Sequence, residues 1–281
     1  MTKIKNSSVL ITGGAMGMGK LLAERCLQKG AKSVVLWDIN EAHLNATSEY
    51  FAAAGYDNVH PYIVDVSDAD DVQRTADDVL KNIGAVDILF NNAGIVVGKR
   101  FHEHSIKEID RTIGINVLGV MYVARAFLPT MLQKGTGHLV NIASAAGMVA
   151  NPNMSVYAAS KWAVLGWSES VRLELEELRS KVRVLTVTPS YINTGMFDGV
   201  KAPLLTPILE PLFVVNRILE GVESNEVMLR TPFMVNAIPL LKGILPVRTF
   251  DFVAGRVFGV YDTMDKFKGR SAEVAVPDKK Q

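Results

Sequence analysis

Three side chains in this sequence could move a proton together. Ser144 lies in the run Asn141-Ile-Ala-Ser-Ala-Ala-Gly147, and Tyr157 and Lys161 bound the run Tyr157-Ala-Ala-Ser-Lys161. A spacing of four puts Tyr157 and Lys161 on one face of a helix, about a turn apart. A free phenol has a pKa near ~10, and a neighbouring ammonium stabilises the phenolate. Lowering that pKa by roughly two to three units takes about 3–4 kcal/mol of differential interaction. One close, partly desolvated cation supplies that amount. Ser144 would then be a neutral hydroxyl that hydrogen-bonds a substrate oxygen and aims it. The chain has seven tyrosines, so a Tyr-x-x-x-Lys pair alone means little; its weight depends on its surroundings.

Those surroundings alternate. Short β-branched runs are expected as strands at residues 8–12, 33–37, 59–64, 86–90, 137–142 and 182–187. Stretches of helical period lie at 17–29, 41–54, 69–83, 105–133 and 154–180. Near-continuous apolar strands imply a parallel sheet covered on both faces. The βαβα order implies a doubly wound α/β (Rossmann) fold with right-handed crossovers. No repeat, low-complexity segment or linker interrupts residues 1–228. The expectation is therefore one domain over 1–281, with a core at 5–230 and an apolar C-terminal extension at 231–281.

In such a fold the site lies beyond the carboxyl ends of the strands. The first strand runs into Thr12-Gly13-Gly14-Ala15-Met16-Gly17-Met18-Gly19. Gly13, Gly17 and Gly19 permit a tight turn and close backbone approach to a pyrophosphate, and Ala15, Met16 and Met18 complete the turn. The helix from Gly17 aims its amide ends at that anion. Glycines also punctuate ordinary loops; the position after the first strand and before an amphipathic helix is the stronger point. Asp38, followed by Ile39, closes the second strand about twenty residues beyond the turn. An acid there hydrogen-bonds the adenosine ribose hydroxyls of NAD and repels a 2′-phosphate. The alternative for Asp38 is a helix N-terminal acid ahead of Glu41.

The set Thr12-Gly-x-x-x-Gly17-x-Gly19, Asp65-Val66, Asn91-Asn92-Ala93-Gly94, Asn116, Ser144, Tyr157-x-x-x-Lys161 and Pro189 to Thr194 resembles the short-chain dehydrogenase/reductase family. The resemblance covers roughly residues 5–230, with the motifs in the family's order, and fits its short, single-domain branch. It implies that Asp65 and Val66 hold the adenine, and that Asn92, Ala93 and Gly94 line the cofactor's ribose. It implies that Lys161 binds the nicotinamide ribose beside Tyr157, that Asn116 anchors a water reaching Lys161, and that Pro189, Ile192 and Thr194 border the nicotinamide. Asn116 lies mid-helix, where asparagine is unfavourable without a further role. The family often has Pro-Gly where this chain has Pro189-Ser190; that departure bears on the pocket floor and not on proton transfer.

The walls of the implied substrate pocket are apolar: Ile95-Val96-Val97, Ala145 to Val149, Met196-Phe197 and Pro203 to Leu209. They carry no charge suited to a sugar phosphate, phosphopantetheine or carboxylate. The tail beyond Arg230 adds a looser similarity to retinol and 17β-hydroxysteroid dehydrogenases. The expected substrate is a small apolar secondary alcohol or ketone: a steroid, retinoid, terpenoid or long-chain alcohol. The expected cofactor is NAD, with a homodimer or homotetramer paired along the helices at 105–133 and 154–180. A helix over 235–244, kinked at Pro239, is expected to gate the pocket, to lie on a lipid surface with Lys242 at the headgroups, or simply to pack on the sheet or a partner subunit.

Composition narrows the alternatives. A hydrophobic fraction of 48% over 281 residues suits a buried sheet. A formal net charge of +1 gives no reason to expect nucleic acid. Cys26 is the one cysteine, which excludes an internal disulfide and suits a reducing compartment. His43, His60, His102, His104 and His138 form no ligand spacing, so no metal is expected. The N-terminal residues run into a strand too short for a signal peptide, and three prolines at 232, 239 and 246 exclude a transmembrane span in the tail. A cytoplasmic location follows, with peripheral membrane association open. Two other readings stand beside the enzyme: a non-catalytic NAD-binding regulator and a lipid-surface interaction protein.

Overall fold

The computed structural model of the chain describes residues 2–270. Met1 and the last part of the expected extension, 271–281, lie outside the described residues. Seven strands form one parallel sheet: β1 (Ser8–Thr12), β2 (Ser33–Asp38), β3 (Val59–Ile63), β4 (Ile88–Asn91), β5 (Gly137–Ile142), β6 (Val182–Pro189) and β7 (Met228–Thr231). Their spatial order is β3-β2-β1-β4-β5-β6-β7. The chain therefore builds outward from β1 to β3, returns past β1, and builds the other half from β4 to β7. The reversal between β1 and β4 opens a crevice at their carboxyl ends.

Strand burial explains the near-continuous apolar runs. Every residue of β1 and of β5 is buried, because helices cover both faces. On one face, α1 (Gly17–Gln28) and α7 (Pro211–Ser224) pack against each other, with α2 (Glu41–Ala53) beside β3. On the other lie α3 (Ala69–Asn82), α5 (Val120–Lys134) and α6 (Ser155–Glu177). α3 presents Val72, Thr75, Ala76 and Val79 to the core, the i, i+3, i+4, i+7 stripe of a half-buried helix. Cys26 is buried in α1, and burial pushes its thiol up to about 12, so it serves as a small apolar side chain.

Two elements are absent from the expected order: α7 and β7, which follow the last expected strand. The expected helix at 105–133 is a continuous helical run in three parts. α4 (Ile106–Ile113) leads through a π-helical segment, Gly114–Gly119, into α5. Apolar periodicity does not register one widened turn. A capping box starts the run: Ser105 N donates to Glu108 Oε2 at 2.8 Å, and Glu108 N to Ser105 Oγ at 3.2 Å. By length and composition this run, Ile106–Lys134, could cross a membrane, yet half of its most apolar window is buried in the fold.

The extension folds as a 3-10 turn (Phe233–Asn236), α8 (Ala237–Ile244) and α9 (Val247–Phe252). Pro239 belongs to α8. It stands in the first turn, where a missing N–H breaks no helical hydrogen bond. Lys242 does not reach outward. Its Nζ donates to Met148 O at 3.1 Å and sits 3.9 Å above the Trp162 ring. The lysine thereby ties α8 to the loop after β5.

His138, within β5, is fully buried, with Nδ1 3.2 Å from Thr2 Oγ1. Burial first, and Arg183 second, push its pKa from 6.5 down to about 4. A folded-state value below the unfolded one gives stability that is full above pH 6.5 and is lost as pH falls toward 4. His138→Leu should remove that part of the acid sensitivity, on the order of 3 kcal/mol between those limits. Urea unfolding of both proteins at pH about 7 and about 4 measures it; an unchanged acid dependence in the variant would rule out His138 as the source.

Candidate active site

Tyr157 and Lys161 stand on one face of the first turns of α6, each only 5% exposed. Ser144 follows β5, its backbone extended, and its Oγ accepts from Ala146 N at 3.1 Å. Its hydroxyl lies close enough to the Tyr157 phenol to favour the ionised form. Lys161 Nζ donates to Ile142 O, the last carbonyl of β5, at 2.8 Å. The spacing read from the sequence thus brings all three side chains together at the end of one strand.

The electrostatics differ from the expectation that Lys161 lowers the Tyr157 pKa. Burial raises the phenol well above its ordinary value, the neighbouring Ser144 hydroxyl opposes that rise, and Tyr191 adds to it. Lys161 Nζ lies 5.6 Å from the Tyr157 ring centroid and is directed at Ile142 O. Burial likewise pushes the Lys161 ammonium down from 10.5 to about 8. Desolvation therefore outweighs the mutual attraction of the pair, which sequence spacing alone could not weigh.

Across the crevice, the turn after β1 and the end of β4 are stapled through Thr12. Its Oγ1 accepts from Asn92 N and Ala93 N, both at 3.0 Å, and donates to Phe90 O at 3.4 Å. Asn92 Nδ2 donates back to Thr12 O at 2.9 Å and Gly13 O at 3.2 Å. A β-carbon on Gly19 would lie 2.0 Å from Gly13 O, so α1 meets the turn too closely for any side chain there. Asp38 ends β2 with its carboxylate oriented by two amides: Oδ2 accepts from Ala15 N at 3.1 Å and Oδ1 from Asn40 N at 3.0 Å. Asp65 Oδ1 accepts from Ser67 N at 3.0 Å and Ser67 Oγ at 2.6 Å.

One cavity of about 820 Å³ joins these groups. Gly13, Met16, Gly17, Met18, Asp38, Ile39, Asp65 and Val66 line one part; Asn92, Ala93, Gly94, Ser144, Tyr157, Lys161, Pro189, Ile192 and Thr194 line the rest. Three expected residues do not face it. Ala15 is buried in the core under the turn, its carbonyl accepting from Thr47 Oγ1 at 2.7 Å. Gly19 lies beneath Gly13. Asn116, fully buried in the π-helical segment, binds the loop after β4: Oδ1 accepts from Ile95 N at 2.8 Å, and Nδ2 donates to Ile95 O at 2.9 Å and Ser160 Oγ at 3.0 Å. Its side chain thus fixes the loop facing Lys161; a β-carbon on Gly94 would lie 3.3 Å from Asn116 Oδ1 and 3.7 Å from Lys161 Nζ.

Sequence reasoning missed other residues of the cavity. Tyr191 packs edge-on against Phe197, 5.2 Å between ring centroids, and Phe197 packs edge-on against Tyr157 at 5.8 Å. Tyr191 Oη also meets Asn151 Nδ2 at 2.9 Å and Thr263 Oγ1 at 2.7 Å. Val235 and Ile238 belong to the 235–244 segment expected at the pocket mouth, and Val260 to the rest of the extension. The apolar tail was the available signal, but its partners lie about a hundred residues away in the chain, as Asn151 and Thr263 do.

The turn, the oriented acid and the amide-rich strand ends form a cradle for an extended anionic ligand with a ribose. The buried Ser–Tyr–Lys group can exchange a proton with an oxygen held between Ser144 and Tyr157. The short chain dehydrogenase family model matches residues 7–204. Epidermal retinol dehydrogenase 2 of Mus musculus is 38% identical over 93% of this chain and 85% of its own length. Estradiol 17-beta-dehydrogenase 11 of Homo sapiens is 34% identical over 92% of this chain and 86% of its own. Among solved structures, a short chain dehydrogenase/reductase from Burkholderia phymatum in complex with NAD superposes with a TM-score of 0.79. It is 28% identical and covers 86% of this chain and 95% of that one. A short chain dehydrogenase from Burkholderia cenocepacia in complex with NADP gives 0.76 at 25% identity, covering 91% and 99%. With its parallel sheet, its glycine turn and its Tyr157–Lys161 face, this chain belongs to the short-chain dehydrogenase/reductase family.

Proposed function

We propose that the chain is an NAD(H)-dependent oxidoreductase that interconverts a hydrophobic secondary alcohol and its ketone. The observation that carries this reading is that the buried Ser144, Tyr157 and Lys161 share one cavity with the Gly13–Gly17 turn and Asp38. NAD, when bound, supplies the redox chemistry by exchanging a hydride with the substrate carbon. The chain's own residues do the rest. Ser144 Oγ donates a hydrogen bond to the substrate oxygen and stabilises the charge that develops there. Tyr157 Oη gives that oxygen a proton in reduction and takes it back in oxidation. Lys161 and Asn92 hold the nicotinamide ribose, Asp38 the adenosine ribose, and Asp65 and Val66 the adenine.

Apolar walls support a lipid-like substrate of the steroid, retinoid, terpenoid or long-chain type. Val149, Met154, Met196, Phe197, Ile238 and Val260 line the cavity near Tyr157. The relatives named for retinol and estradiol point to the same class. A second reading adds contact with a lipid surface. Phe233, Leu240, Ile244 and Val247 are 84%, 63%, 69% and 75% exposed, an apolar ridge on and beside α8.

Tyr157→Phe removes only the acid–base group. It should keep NADH affinity within a few-fold and lose at least ~10³ in kcat; substantial residual turnover would reject Tyr157 as the proton-transfer residue. Because burial favours the neutral phenol, alcohol oxidation, which needs the phenolate, should accelerate as pH rises from about 6 to about 9, while ketone reduction should not.

Asp38 sets the cofactor choice. A carboxylate at the ribose repels a 2′-phosphate, so kcat/KM should favour NAD over NADP by at least about tenfold after solvent screening. Asp38→Ser should shrink the ratio mainly by improving NADP. Equal use of both cofactors by the unaltered protein would remove Asp38 from the ribose.

The two faces of α8 separate the gate from the lipid surface. Ile238→Ala should raise KM for a bulky apolar alcohol more than for a small one, with NADH binding unchanged. Leu240→Ser with Ile244→Ser should leave both KM values unchanged and abolish flotation with phospholipid vesicles. An Ile238 variant that affects both alcohols equally would dismiss the gate; outer-face variants that still float would dismiss the lipid contact.

A further inference from the structure

The last described residues close back over the cavity. After α9 and a π-helical segment (Val253–Val257), the chain turns and runs across the mouth as a strap over residues 262–270. The strap is docked along its length. Thr263 O accepts from Lys201 N at 3.0 Å, and Asp198 O accepts from Lys268 N at 2.8 Å. Met264 is buried in one cluster with Tyr157, Tyr191 and Phe197, and Phe267 packs on that cluster. A β-carbon on Gly199 would lie 2.1 Å from Lys266 O, so the backbones touch there. The strap thus starts beside the Ser–Tyr–Lys group and ends, at Arg270, over the glycine turn.

Arg270 is placed where an anion would be met. Its guanidinium lines the cavity with Gly13, Gly17 and Asp38. Nη1 donates to Met16 Sδ at 2.7 Å, and Nη2 would lie 3.9 Å from a β-carbon on Gly17, the first residue of α1. A thioether is a weak acceptor, whereas a guanidinium offers five donors in a fork that matches phosphate oxygens. Among the described residues Arg270 forms no ion pair within 4 Å, although Asp38 and Asp198 lie close enough to favour its charge. The sequence reading did not single it out, because it lies far beyond the motifs in the chain.

We propose that Arg270 is a phosphate ligand of the bound dinucleotide: it meets the pyrophosphate beside the amide ends of α1 and makes cofactor retention depend on the strap. This rests on the dinucleotide reading above. The amides of the turn and the guanidinium would hold the pyrophosphate together, and the strap would join that grip to the wall of the substrate pocket through Met264 and Phe267.

Direct binding separates the possibilities. NADH and NADPH affinities are measured by fluorescence titration, ADP by displacement of NADH, and adenosine likewise, in unaltered protein, Arg270→Ala, Arg270→Lys and Lys268→Ala, each checked for an unchanged Tm. Arg270→Ala should weaken NADH and ADP by about tenfold or more and leave adenosine unchanged. Arg270→Lys should recover part of the loss, and Lys268→Ala should match the unaltered protein. The ADP affinity of Arg270→Ala should also respond less to added salt. Unchanged ADP and NADH affinity in Arg270→Ala would overturn the proposal while leaving the dinucleotide reading intact. Equal loss for adenosine and ADP would make the strap merely structural, and a loss confined to NADPH would assign Arg270 to a 2′-phosphate; either overturns it. Failure of the unaltered protein to bind NADH would instead defeat the dinucleotide reading itself.

Discussion

The site depends on a cation held almost out of water at the end of β5. Lys161 Nζ has the last strand carbonyl, Ile142 O, at 2.8 Å, and its burial lowers the ammonium to about 8. A buried ammonium is tolerated only where its surroundings are fixed in advance. Here they are: Asn116 clamps the loop after β4 through Ile95 and reaches Ser160 in α6. The π-helical segment that carries Asn116 brings that amide to the loop without ending the helix. Tyr157 shares the same burial, and the neighbouring Ser144 hydroxyl works against the resulting rise in its pKa. Desolvation is thus the first influence on the protonation of both side chains.

A second constraint fixes the distance between the two halves of the crevice. β1 and β4 are neighbours in the sheet although residues 13–87 separate them in the chain. Thr12 Oγ1 and the Asn92 amide tie their ends together with four hydrogen bonds, Asn92 N, Ala93 N, Thr12 O and Gly13 O being the backbone partners. The glycine turn therefore cannot move without Asn92 to Gly94, and Gly94 faces Lys161. The turn, the loop after β4 and Lys161 thus stand on one connected framework, and the separate extension adds Val235, Ile238 and Val260 to the cavity wall.

The fold was largely legible because the pattern is local. Six strands of apolar, β-branched residues alternate with amphipathic helices, and within the sheet-and-helix order the structure adds α7 and β7. The site was legible where its residues sit at strand ends or share a helix face: Asp38, Asn92 and the Tyr157–Lys161 pair. It was not legible where the decisive quantity is burial or a distant contact. Spacing showed Lys161 near Tyr157 but not its orientation toward Ile142 O. Nothing local in the tail indicated that Lys242 would bind Met148 O, or that Pro239 would fall in the first turn of α8. Tyr191, Asn151 and Thr263 meet across three separate segments, a contact that no local pattern encodes.

The central claim is that Ser144 and Tyr157 converge on one substrate oxygen inside the cavity that also takes the dinucleotide. A crystal structure of the protein with NAD and an unreactive apolar ketone tests it most directly. The ketone oxygen should lie within hydrogen-bond distance, about 3 Å, of both Ser144 Oγ and Tyr157 Oη, with its carbon skeleton against Val149, Phe197 and Ile238. A ketone bound elsewhere, or an oxygen held by neither hydroxyl, would contradict the account.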